Sequence, residues 1–208
     1  MFAQFLPQLV TQLTEATSIA LAQNIQQQAI ATPLSPEAIA TTYVRQGSGD
    51  PILLIHGFDS SLLEFRRLLP LLAEKHQTWA VDLFGFGFTE RVAGVKVSPD
   101  IKTHLYYFWK TLIQKPVVLV GASMGGAAAI DFTLTYPDAV QKLVLIDSAG
   151  MSGGSAMSKY MFPPLDTLAT AFLRNPRIRN SISRAAYKNK TLASIDAQLC
   201  AALHLESP

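Results

Sequence analysis

Three short runs of uninterrupted apolar residues constrain this chain most: Pro51 to Ile55 (PILLI), Val117 to Val120 (VVLV) and Leu143 to Ile146 (LVLI). None alternates with polar residues, so a strand made from any of them is expected to be covered on both faces, as in a parallel sheet flanked by helices. The stretches between carry helix signals. Ser61 with Glu64 three residues on has capping-box spacing and predicts a helix from about Leu62 to Ala73. Ser98 and Pro99 open another that runs to about Gln114, and Met124 to Thr135 makes a third, stopped by Pro137. With Thr41 to Arg45 and Thr78 to Asp82 as further strands, the order is a succession of β-α-β units. Such units wind into a doubly wound, mostly parallel α/β sheet.

Composition narrows the class. At roughly 150 residues per domain, 208 residues make one large domain or one and a fragment, and 49% hydrophobic against 15% charged residues excludes compositional disorder. A net charge of +2 argues against a nucleic-acid partner. Cys200 is the lone cysteine, and no Cys/His spacing suits a metal, so neither a disulfide framework nor a metal or other cofactor is expected. The first basic residue is Arg45, which leaves the N-terminus without the charged region of an export signal; a cytoplasmic location is expected.

Phe2, Phe5, Leu6, Leu9, Val10, Leu13 and Ala16 recur at helical spacing, so residues 1–40 read as an N-terminal amphipathic helical extension whose stripe packs on the body of the protein. Peripheral membrane contact is the less favoured reading, because the polar face carries Gln and Thr instead of Lys and Arg. Residues 41–150 form the α/β core. Residues 151–208 read as a helical cap or lid: 151–161 is rich in Gly, Ser and Met and suits a hinge, and Arg174, Arg177, Arg179, Arg184, Lys188 and Lys190 suit a solvated basic face.

The chemistry concentrates at Gly121-Ala122-Ser123-Met124-Gly125, a G-x-S-x-G motif between the VVLV strand and the helix after it. That context is what a nucleophile elbow requires, a sharp strand-to-helix turn that exposes the serine hydroxyl at the carboxyl end of the sheet. Two further motifs lie upstream. His56-Gly57-Phe58 ends the PILLI strand, and Asp82-Leu83-Phe84-Gly85-Phe86-Gly87-Phe88-Thr89 follows the next one.

Together these motifs resemble the α/β-hydrolase family, in its serine-nucleophile branch, over residues 41 to 150. The resemblance implies Ser123 as nucleophile, backbone N–H groups of Phe58 and Met124 as the oxyanion hole, and Gly57, Gly121 and Gly125 as the turn and elbow glycines. It implies a small-molecule acyl substrate, such as a carboxylic ester, and Phe84, Phe86 and Phe88 suggest an apolar pocket. His56 reads as structural, because the family's H-G histidine is not its base. Asp147, at the end of LVLI, is a candidate acid.

The family's order is Ser, Asp/Glu, His. After Ser123 the one histidine is His204, set in an amphipathic helical pattern and read as a helix residue. The sheet is therefore expected to be truncated after the strand that follows the elbow helix, leaving an apolar edge open to self-association. The general base is expected to be missing from this length. The alternative is a non-catalytic small-molecule binding or interaction module on the same truncated fold.

Overall fold

All three apolar runs enter one six-stranded sheet of order β1-β2-β4-β3-β5-β6. Its strands are β1 (Gln26–Ile30), β2 (Ile39–Gln46), β3 (Pro51–Ile55), β4 (Gln77–Val81), β5 (Val117–Ala122) and β6 (Val140–Ile146). The computed structural model describes residues 1–92, 97–150 and 187–206, with 178, 181, 184 and 185 between. β3 pairs in parallel with β4 and β5, and β5 with β6, whereas β2 runs antiparallel to both β1 and β4. Among the described residues the helices include α1 (Ala16–Gln23), α2 (Leu69–Ala73), α3 (Val97–Phe108), α4 (Met124–Thr135) and α5 (Ile195–Ala202).

Alternation along the central strands builds two cores. Ile52 and Leu54 of β3 face one cluster, with Leu69 of α2, Leu21 of α1, and Cys200 and Leu203 at the C-terminal end. Leu53 and Ile55 face the other, with Ile101, Leu105 and Phe108 of α3 and Ala129 and Phe132 of α4. Helices on both faces make the sheet doubly wound, as the continuous apolar strands required. β3 lies between β4 and β5, so the connections diverge to opposite sides at its carboxyl end; open α/β sheets place their sites at such a point.

Several expectations are corrected. The N-terminal stripe does pack on the body, through buried Leu6, Val10 and Leu13. It is not one helix, however: a 3-10 turn at Gln8–Gln12 follows Pro7, and α1 begins only at Ala16. Residues 26–30, expected within a helical extension, are an edge strand, so the sheet starts well before residue 41. The helix expected from Leu62 to Ala73 is a 3-10 turn at Leu62–Phe65 and then α2, with Pro70 in its first turn. Proline has no N–H to continue a helix but fits the start of one.

β6 is, among the described residues, the edge strand that the expected truncation leaves, but it is not buried on both faces: Val144 is 43% and Ile146 41% exposed. Of the cap expected over 151–208, residues 178, 181, 184, 185 and 187–206 are described; the 151–161 hinge and Arg174, Arg177 and Arg179 lie outside the described residues.

Candidate active site

β5 ends at Ala122, and α4 begins at Met124. Between them Ser123 adopts φ 51°, ψ −118°, a region that non-glycine residues enter at a cost of about 1–3 kcal/mol. The turn is held from both sides. Ser123 N–H donates to the Ile146 carbonyl at 2.9 Å, and the Ser123 carbonyl accepts from Ala149 N–H at 2.9 Å and Gly126 N–H at 3.0 Å.

Two motif glycines are required by space. A Cβ on Gly121 would lie 2.5 Å from the Gly125 carbonyl oxygen, and one on Gly125 would strike the carbonyl oxygens of His56 and Ile55. Ser123 itself is exposed, and none of the hydrogen bonds of the described histidines engages its hydroxyl. Met124, partly buried, is the first residue of α4, where N–H groups lack helix partners and the helix dipole favours an anion.

At the end of β3 the buried His56 is fixed through both ring nitrogens. Nδ1–H donates to the Gly57 carbonyl at 2.7 Å, and Nε2 accepts from Leu83 N–H at 3.1 Å. Burial lowers His56 to about 4, so the imidazole is neutral and serves the turn. Because the Gly57 carbonyl is held by His56, Phe58 N–H, on the opposite edge of the same peptide, points away from that ring. Gly57 abuts the elbow: a Cβ placed there would lie 3.3 Å from Ser123 Cβ.

The Asp82 loop is a brace. Asp82, fully buried, accepts from Leu62 N–H at 2.6 Å and Phe88 N–H at 2.8 Å, and burial pushes its carboxyl up to about 7 against those donors. Thr89 closes the loop by donating to the Asp82 carbonyl at 2.9 Å while its hydroxyl accepts from Thr42 N–H at 3.0 Å. Phe84 and Phe88 are buried in the two cores. Phe86 does lie beside Phe58, with ring centroids 5.7 Å apart.

Asp147 follows β6, exposed, with φ 45°. His204 is buried, and its Nε2 lies 3.1 Å from Asp59 Oδ1, just past Phe58. His104 is committed to the Thr41 hydroxyl at 2.8 Å. Two carboxylates at or near the site escaped the sequence reading. Glu64 reaches the Gly57 N–H, and Asp59 meets His204 across 145 residues. Glu64 carried a visible signal, the capping-box spacing, which pointed to the wrong partner.

The profile of the alpha/beta hydrolase fold matches residues 50–200. This chain belongs to the alpha/beta hydrolase family. It is 34% identical over its whole length to the alpha/beta hydrolase domain-containing protein VTE7 of Arabidopsis thaliana, covering 66% of that protein. It is also 34% identical, over 54% of its length, to a 2-hydroxy-6-oxo-6-(2'-aminophenyl)hexa-2,4-dienoic acid hydrolase of Metapseudomonas resinovorans, covering 40% of that enzyme. Among solved structures it superposes on carboxylesterase CesB of Bacillus subtilis with a TM-score of 0.69 at 19% identity, over 97% of this chain and 68% of that one. This alpha/beta hydrolase thus spans about two-fifths to two-thirds of the two curated relatives named.

Proposed function

We propose that this chain carries the nucleophile and the oxyanion donors of a serine hydrolase acting on a carboxylic ester or related acyl bond. The observation that carries the reading is Ser123, an exposed residue at a strained, braced turn between β5 and α4. Strain is tolerated where surrounding structure over-determines it, and such positions cluster at active sites.

In the proposed step Ser123 Oγ attacks the acyl carbonyl carbon and gives up its proton, in this chain to solvent water, which in turn protonates the leaving group. The carbonyl oxygen becomes an oxyanion, and the N–H groups of Phe58 and Met124 meet it. Collapse of the tetrahedral intermediate expels the alcohol or other leaving group and leaves an acyl-serine for water to hydrolyse. A preorganised donor of this kind is worth about 3–4 kcal/mol. The exposed Phe58 ring and Phe86 favour an apolar acyl or leaving group. The relative named as a 2-hydroxy-6-oxo-6-(2'-aminophenyl)hexa-2,4-dienoic acid hydrolase fits hydrolytic chemistry at a carbonyl.

A serine hydroxyl also needs a proton acceptor. His56, His104 and His204 are each bonded elsewhere, and the reading includes no base among these residues. Losing the histidine of a serine triad costs on the order of a millionfold in turnover. A fluorophosphonate probe with intact-mass readout should therefore label Ser123 slowly in this chain. Fusion to the C-terminal part of the VTE7 relative should accelerate labelling by orders of magnitude, and Ser123→Ala should abolish it in both. Fast labelling of the unfused chain would refute the missing base. No labelling even after fusion would favour a non-catalytic binding module.

A further inference from the structure

Glu64 does not make the capping box that its spacing predicted. Instead of turning back to Ser61 N–H, its Oε2 accepts from Gly57 N–H at 3.1 Å. Ser61 caps the 3-10 turn with its own hydroxyl, which accepts from Leu63 N–H. The Glu64 carboxylate is thus spent on the loop at the end of β3, against the elbow: a Cβ at Gly57 would meet Ser123 Cβ at 3.3 Å and Glu64 Oε2 at 3.8 Å.

Gly57 joins two peptide planes. The plane before it presents Gly57 N–H, held by Glu64. The plane after it presents the Gly57 carbonyl, held by His56 Nδ1–H at 2.7 Å, and on its opposite edge Phe58 N–H. Glycine has the widest φ/ψ freedom of any residue, so a loop pivoting on Gly57 is the place where an N–H donor would swing out of line unless both planes were fixed. An oxyanion hole acts because its donors are already aimed, and a misdirected donor forfeits most of that effect.

We propose that Glu64 is a positioning residue of the oxyanion hole, clamping the peptide plane before Gly57 as His56 clamps the one after, so that Phe58 N–H is held in place. This rests on the acyl-transfer reading of Ser123 above. A carboxylate is a poor neighbour for a developing oxyanion, so its acceptor capacity and not its charge is what the site uses. Consistent with that, desolvation in the crevice raises the Glu64 carboxyl above its usual range, although Gly57 N–H and Ser60 oppose the shift.

The test combines amide hydrogen exchange at Gly57 with saturation kinetics of fluorophosphonate labelling at Ser123, in the unfused chain at one pH. Glu64→Ala should release the Gly57 amide and slow the maximal labelling rate at least about tenfold without changing the half-saturating probe concentration, because the oxyanion contact is made chiefly in the transition state. Glu64→Gln keeps an acceptor oxygen and should restore both protection and a rate within about threefold of the parent. A parental rate in Glu64→Ala, with Gly57 released, would overturn the positioning role. So would an unprotected Gly57 amide in the parent chain. A protected amide in a parent whose Ser123 is never labelled, even after fusion to the C-terminal part of the VTE7 relative, would overturn the acyl-transfer reading instead, with the clamp itself intact.

Discussion

His56 and His104 are buried as neutral imidazoles, and burial lowers each from 6.5 to about 4. Each accepts a proton readily only once unfolded, so each makes stability fall as pH drops from 6.5 towards 4. Asp82 acts in the opposite sense: raised from 3.8 to about 7, it holds a proton when folded that the unfolded chain releases, and its contribution falls as pH rises through that window. The histidine terms can be separated by substitution. His104, stacked on Phe84 with centroids 5.3 Å apart, takes no part in the proposed chemistry. His104→Asn should remove up to one proton of uptake on unfolding, reducing the acid loss between pH 6.5 and 4 by on the order of 3 kcal/mol. Urea midpoints of parent and variant across that range check it; parallel curves would mean that His104 titrates normally.

α1 and α5 are distant in sequence and clasped in space. α1 has no side-chain cap of its own, but the Asp196 carboxylate of α5 accepts from Thr14 N–H at 3.0 Å, Glu15 N–H at 2.8 Å and the Thr14 hydroxyl at 2.8 Å. Burial works to raise the Asp196 carboxyl, yet these donors hold it below the usual range. Arg67 completes the clasp through Glu15 at 2.8 Å and the Ser194 hydroxyl at 3.3 Å. Hydrogen bonds to a charged group are worth about 1.5–3 kcal/mol each before non-additivity, so Asp196→Ala should destabilise the chain by roughly 2–4 kcal/mol in urea unfolding and expose the first 15 residues to proteolysis. A loss below about 0.5 kcal/mol would show the clasp to be ornamental.

These elements also mark where the sequence was legible. β3, β5 and the turn at Ser123 are written in contiguous residues, because burial on both faces forces apolar runs and a tight bend forces glycine. β1 was hidden: it lies at the edge, with Gln26, Gln27, Gln28 and Ala29 exposed, so nothing pressed its sequence towards an apolar pattern. The partners of Asp196 and Asp59 lie 182 and 145 residues away, distances at which no local spacing carries information. Glu64 is the intermediate case, where a local pattern was real and the tertiary fold redirected its side chain.

Across the whole molecule the two sheet edges differ in chemistry. β1 presents polar glutamines, whereas β6 presents the half-exposed Val144 and Ile146 and, among the described residues, pairs on one side with β5. An apolar edge of this kind invites association. Sedimentation velocity should show concentration-dependent association of this chain that Val144→Lys diminishes without altering its circular dichroism. An unchanged association would place the contact elsewhere.

The hydrogen bonds that seat Ser123 have a mechanical implication. Its N–H rests on the final carbonyl of β6, and its carbonyl on the residues just beyond. Among the described residues the outermost strand is therefore the backstop of Ser123, and a strand laced along a single flank breathes more than one laced along two. Anything that zips onto the open flank of β6 will stiffen that seat, and by thermodynamic reciprocity a molecule gripped at the serine will tighten the flank in return.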